Sequence, residues 1–231
     1  SGDDPRFYRL AWEISSNEIG SSRSWRRLSK GGEYSPPFDD IHLLVNWKAN
    51  GAEMRNCSSA RVQNESFYLK AGATHSVRTA SAFAAKVLPA GCVFSSMAQS
   101  WFVEDDEVLL KSILYFLCRV PQAYVELSVG GGDVSTSGSA ARRYTTRVVH
   151  SVPANVLRCL HYGGFTEDAA SIFRVVAHDL AYDETSCLFA GFAPDDCQTL
   201  NELGAKTQLE RQRLVSKALR ASWRLDQTVT A

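Results

Sequence analysis

Apolar positions fall in short runs through the first hundred residues and take up helical spacing only later. Residues 7–14 (F-Y-R-L-A-W-E-I) are aromatic and apolar, suited to a strand or a buried helical turn. Residues 41–47 (I-H-L-L-V-N-W) carry the β-branched and aromatic weight of a strand, and Asn50-Gly51 follows as a hairpin signal. Residues 67–70 and 83–88 read as further strands. Leu88-Pro89-Ala90-Gly91 then predicts a tight turn that brings residues 92–94 back as a hairpin partner. Between these runs, residues 15–24 are polar loop, Gly31-Gly32 breaks the chain, and Pro36-Pro37 forces extended or turn geometry.

The pattern changes at Glu104. Four acids, Glu104, Asp105, Asp106 and Glu107, precede Val108, Leu109, Leu110, Ile113, Leu114, Phe116 and Leu117. Acids at a helix start complement its dipole, and the apolar spacing is helical. Pro121 follows the expected end. A Gly/Ser-rich stretch (V-G-G-G-D-V-S-T-S-G-S-A) leads to A-R-R-Y-T-T-R-V-V-H-S-V-P. Further on, Thr166 caps a helix over 167–180, with Ala169, Ile172, Phe173, Val176 and Leu180 on one face. A second helical stretch runs over 194–223 and breaks near Gly204. The pattern predicts an α+β fold: a mixed-sheet domain over 1–153 and a helical tail over 154–231.

Composition adds little to this and charge distribution adds more. The chain has 231 residues with 25 basic and 25 acidic side chains, so net charge argues for no partner. Over residues 21–90, however, ten Lys/Arg face five Asp/Glu, and beyond Phe102 acids lead 16 to 13. A basic first half suits a polyanion-facing surface, although a solvated, salt-bridged surface gives the same counts. Six scattered cysteines form no C-x-x-C pair and give neither a zinc site nor a disulfide framework, which points to reduced thiols and a cytoplasmic protein. No run has the length of a membrane span. The chain starts S-G-D-D-P-R-F without methionine, as a piece of a longer protein would.

Three groups of residues are candidates for binding DNA. Arg26, Arg27 and Lys30 lie beside Gly31 and Gly32, where glycine would let backbone N–H groups approach phosphates; a solvated loop explains them equally. His75, Ser76, Arg78 and Thr79 lie between two expected strands and are base-reading candidates; a polar hairpin is the alternative. Arg142 and Arg143, near Ser137-Gly138, form the third group, and could instead pair with acids of the neighbouring helix. Trp12, Trp25 and Trp47 are expected in the core, and His42 as a packed strand residue. No catalytic residue, metal cluster or Ser/His/Asp set can be argued from the spacing.

A series of landmarks in order resembles the C-terminal target-recognition region of large adenine-specific DNA methyltransferases. These are the PglX-like enzymes of BREX and DISARM phage defence and the single-chain type IIG/IIL restriction–modification enzymes. The series is G-D-x-x-R-F from Gly2, W-E-I from Trp12, K-G-G-E-Y from Lys30, V-N-W from Val45 and Gly51. It continues with Q-N-E-x-x-Y from Gln63, Arg78-Thr79 and L-P-x-G-C-V-F from Leu88. The helix around Leu109, S-G-S-A-A-R-R-Y from Ser137 and V-V-H-S-V-P from Val148 complete it. The chain departs from that pattern at Leu69 and over residues 73–77, in the segment expected to face bases.

The resemblance implies a mixed-sheet target-recognition domain that binds double-stranded DNA and positions a methyltransferase domain lying upstream in the same chain. The parent enzyme would move a methyl group from S-adenosylmethionine to adenine N6, with the base flipped out of the stack. The fragment itself would hold no cofactor and do no chemistry. Other defence-system subunits are implied partners; a membrane is not. Two rivals stand beside this reading. One is a protein-interaction module docking through the tail. The other is a permuted methyltransferase using Ser35-Pro36-Pro37-Phe38 as its catalytic motif and Val129-Gly130-Gly131-Gly132-Asp133 as its cofactor turn. That motif needs a buried strand directly before it, and K-G-G-E-Y stands there instead.

Overall fold

A computed structural model describes residues 4–152, apart from 21, 33, 117–118, 130–132 and 135–139. The expected domain boundary at 153 and the tail helices at 167–180 and 194–223 lie outside the described residues. The chain opens with a single helical turn, α1 (Asp4–Phe7), and a short strand, β1 (Tyr8–Leu10). Strands β2 (Trp25–Ser29) and β3 (Leu43–Asn46) follow, then α2 (Lys48–Arg55). Five short strands come next: β4 (Gly72–Ser76), β5 (Arg78–Thr79), β6 (Lys86–Leu88), β7 (Val93–Phe94) and β8 (Ala98–Trp101). Two helices, α3 (Asp106–Tyr115) and α4 (Arg119–Val129), precede β9 (Asp133–Val134), β10 (Ala140–Arg143) and α5 (Thr146–His150).

The strands form three sheets, ordered β1-β3-β2-β7, β6-β4-β8 and β5-β10-β9. All pairings are antiparallel except β2 with β7, which is parallel. The chain is therefore α+β with mixed sheets. The first sheet packs Leu28, Val45, Trp47 and Val93 into one apolar cluster. The second lies against α3, and a larger core gathers Ala73, Phe83, Ile113, Phe116, Val125 and Tyr144. Burying each large side chain there contributes roughly 1.5–3 kcal/mol. The helix expected after Glu104 is α3. Asp105 caps it by accepting the Val108 backbone N–H at 3.0 Å.

Several local expectations are corrected. Asn50-Gly51 does turn the chain, with φ of +58° and +75°, but the turn opens a helix, and β3 pairs with β1 and β2 instead. Trp47 Nε1 donates to Asn50 Oδ1 at 3.1 Å and Gly51 lies against the indole, which holds the turn to the core. Residues 67–70 are not a strand. Residues 65–67 form a 3-10 turn and Leu69 has φ +65°. Residues 92–94 do not return on β6; β7 runs parallel to β2. Pro121 lies in the first turn of α4, where its missing N–H costs nothing. Of the tryptophans, Trp47 is buried and Trp25 half-buried, but Trp12 is 69% exposed. Trp12 follows an edge strand and leans on the His42 ring, 5.7 Å away.

A candidate nucleic-acid interface

Strand β2 carries two of the candidate arginines, and it is an inner strand of its sheet. Arg26 is buried, and its Nη1 donates to the carbonyls of Gly20 and Arg23. Burial lowers its pKa from the usual value. Arg27 Nη1 donates to Ile41 O at 2.6 Å. Both guanidinium groups thus tie the sheet to the loops before and after β2, with Arg26 buried and Arg27 half-buried. Lys30, just past the strand, is exposed, with its ammonium 4.6 Å from the Tyr8 ring centroid.

Gly31 and Gly32 have φ of +91° and +139° and serve a close internal approach. A Cβ on Gly32 would lie 2.5 Å from Asp39 Oδ2, and one on Gly31 would lie 3.1 Å from Met97 O. The Asp39 carboxylate is held there by Lys86 Nζ at 2.7 Å, a lysine whose side chain is only 3% exposed. A cavity of about 550 Å3 opens beside this pair, lined by Gly31, Gly32, Thr74 and Lys86 among others. Ser35 Oγ donates to Phe38 O at 2.8 Å, so the Ser-Pro-Pro-Phe segment closes as a local turn. It has no strand directly before it. Residues 130–132 of the rival cofactor turn lie outside the described residues.

His75 and Ser76 are not on a loop. They belong to β4, the central strand of its sheet, in which all five residues are buried. The small residues Gly72 and Ala73 let β8 and Phe102 pack closely there. Ser76 Oγ donates to Gly32 O at 2.8 Å. The His75 ring lies 5.0 Å from Phe83 and 6.1 Å from Trp101. Burial pushes its pKa down to about 4, partly offset by the Ser76 carbonyl 3.2 Å from Nδ1. A carbonyl only accepts, so Nδ1 carries the proton of a neutral ring. Burial takes both side chains away from any duplex.

The remaining candidates converge. Strand β10 pairs with β5 so that Arg143 stands opposite Arg78 and Arg142 opposite Thr79. Residues directly opposite in an antiparallel ladder share a face, with Cβ atoms about 5 Å apart. Alternation along β10 sends Tyr144 into the core and Arg142 to the helix side, where it pairs with Glu126 at 3.2 Å. Arg143 and Arg78 project the other way. Both are exposed, and among the described residues neither has an acidic partner. Two guanidinium groups held side by side without a counter-charge repel each other and create a site for an anion. Segments 65 residues apart in the sequence, by the Arg78-to-Arg143 numbering, thus make one patch.

The ribbon joins a groove that sequence reasoning missed. Val77 N donates to Met97 O at 3.0 Å, Tyr144 N donates to Val77 O at 2.7 Å, and Thr146 N reaches Gln99 Oε1. Met97, Gln99 and Thr146 line a polar cavity of about 590 Å3 with Lys30, Arg61, Gln63 and Asn64. No acid is among its lining residues. The available signal was Arg61-Val62-Gln63-Asn64, a cation just before the two carboxamides that open the Q-N-E-x-x-Y landmark.

The chain is an α+β region with exposed cations along the ribbon and its groove, and part of its sequence is methyltransferase-related. Over about half its length it is similar to two adenine-specific methyltransferases. One is BrxX of Escherichia coli O9:H4 (strain HS), 28% identical over 126 residues, which are 53% of this chain and 10% of that protein. The other is PglX of Lacticaseibacillus casei (strain Zhang), 22% identical over 134 residues, 55% of this chain and 11% of that protein. The matched part is thus about a tenth of the length of these curated relatives. No family model matches the chain. Among the described residues no single helix is long and apolar enough to cross a membrane.

Proposed function

We propose that this chain is a DNA-recognition piece of a site-specific adenine-N6 methyltransferase, and that it serves phage defence or restriction–modification. The observation that carries the reading is the Arg78–Arg143 pair, two exposed like charges in direct register with no acidic partner among the described residues. Such an arrangement costs stability in the free protein and gains it when phosphate oxygens arrive. Lys30 and Arg61 extend the cationic surface into the neighbouring groove. The methyl donor, S-adenosylmethionine, belongs to an upstream domain, as does the pocket for the flipped adenine. This chain supplies grip and orientation, so that the right base meets the catalytic motif elsewhere. The relatives' names, adenine-specific methyltransferases, support the parent activity.

Fluorescence anisotropy with a labelled duplex tests this. The chain should bind duplex DNA, lose affinity steeply between 50 and 200 mM salt, about tenfold or more for a few phosphate contacts, and fail to methylate it. Absence of duplex binding at low salt would refute the reading.

A further inference from the structure

The groove beside the arginine ribbon presents two carboxamides, those of Gln63 and Asn64. Gln63 and Asn64 are both exposed, and among the described residues neither side-chain amide has a hydrogen-bond partner. The loop that carries them is nevertheless held at its downstream end. Asn64 takes a left-handed conformation, φ +61°, and its carbonyl accepts the Phe67 N–H at 3.0 Å. Phe67 stacks on Phe102 at 5.1 Å. Tyr68 is wedged edge-on between Trp47 at 5.6 Å and Phe94 at 5.1 Å, and its phenol makes a hydrogen bond with the Gln63 backbone. Half-buried Tyr68 and the Phe67–Phe102 stack hold the loop while both amides stay exposed, which lowers the entropic cost of binding.

The electrostatic setting matches. The acid of this loop, Glu65, is neutralised by Arg55 and does not line the groove. Lys30 and Arg61 line it as cations. A nucleic-acid backbone is thus drawn in while the neutral amides meet whatever lies between phosphates. Asn and Gln side chains match one base edge bidentately, the N6/N7 edge of adenine in the major groove.

We infer that Gln63 and Asn64 are base-reading residues that select adenine within the recognised duplex. This rests on the DNA-binding reading above and adds the residues that set sequence preference. In the sequence they are only part of a landmark; their exposure and their place in a groove whose lining holds no acid carry the inference.

The test selects duplexes from a randomised pool with the full 231-residue chain. The wild type should enrich a motif with adenine at one or two positions. A Gln63→Ala/Asn64→Gly variant keeps the left-handed turn, since glycine tolerates positive φ. It should lose enrichment at those positions, by about tenfold to a hundredfold in discrimination, with the salt dependence of affinity unchanged. Asn64→Asp, also compatible with the turn, should shift preference toward cytosine, whose N4 donates to a carboxylate. If the double variant enriches the same motif as wild type, or the wild type binds DNA with no base preference, the inference is overturned while the DNA-binding reading stands. If the wild type binds no duplex, both fall.

Discussion

His75 places an ionisable ring between Phe83 and Trp101, where protonation is opposed. Its folded pKa, about 4, lies below the ordinary 6.5. Above pH 6.5 both folded and unfolded chains hold a neutral ring, and the site has no pH dependence. As pH falls below 6.5 the unfolded chain gains a proton that the folded one refuses, so stability drops until pH approaches 4. Between pH 7.5 and 5.0 the loss is about 2 kcal/mol. Urea midpoints of the wild type should show it, and those of His75→Leu should show correspondingly less; equal slopes would contradict the burial. At Gly32 the prediction is steric. Gly32→Ala should cost about 1–3 kcal/mol, read as a fall in thermal midpoint, because its Cβ would meet the Asp39 carboxylate at positive φ. The sequence showed that Gly31-Gly32 was special but not why. Glycine beside arginine and lysine suits a phosphate loop and an internal junction equally, and the close approach of Asp39, held by Lys86, is set by residues far along the chain.

At the scale of elements, β5 and β10 concentrate the argument. Arg143→Glu would turn a cross-strand repulsion into an ion pair. It should raise stability by a few tenths to about 1 kcal/mol while weakening duplex binding, so that denaturation and anisotropy move in opposite directions. Loss of both together would mean that Arg143 is structural. Arg26→Ala should do the reverse: the sheet is destabilised as Gly20 and Arg23 lose their donor, and the salt dependence of DNA binding is kept. Elements with local causes were legible. The acids before Val108 and the helical spacing after it mark α3, and the apolar run after Ile41 contains β3. Elements set by long-range pairing were not. Residues 72–76 contain Gly, Ala, Thr, His and Ser, which read as loop, yet β6 and β8 flank them and make the strand central. The same non-local pairing hid the meeting of Arg78 with Arg143.

Across the whole molecule, several cations are committed to partners. Arg26 and Arg27 bond backbone carbonyls, Lys86 holds Asp39, Arg55 holds Glu65 and Arg142 holds Glu126. Arg78, Arg143 and Arg61 have no acidic partner among the described residues, and they lie on or beside the ribbon and its groove. Charge balance over the chain conceals that placement, so composition argues for no partner while the position of these three arginines supports the proposed one. The most direct measurement is the slope of log affinity against log salt for duplex DNA, compared between wild type and Arg78→Ala/Arg143→Ala. Two lost phosphate contacts should make the slope shallower by about 2 and leave the fold intact by circular dichroism. An unchanged slope and affinity in the double variant would contradict the claim that this arginine pair meets the DNA backbone.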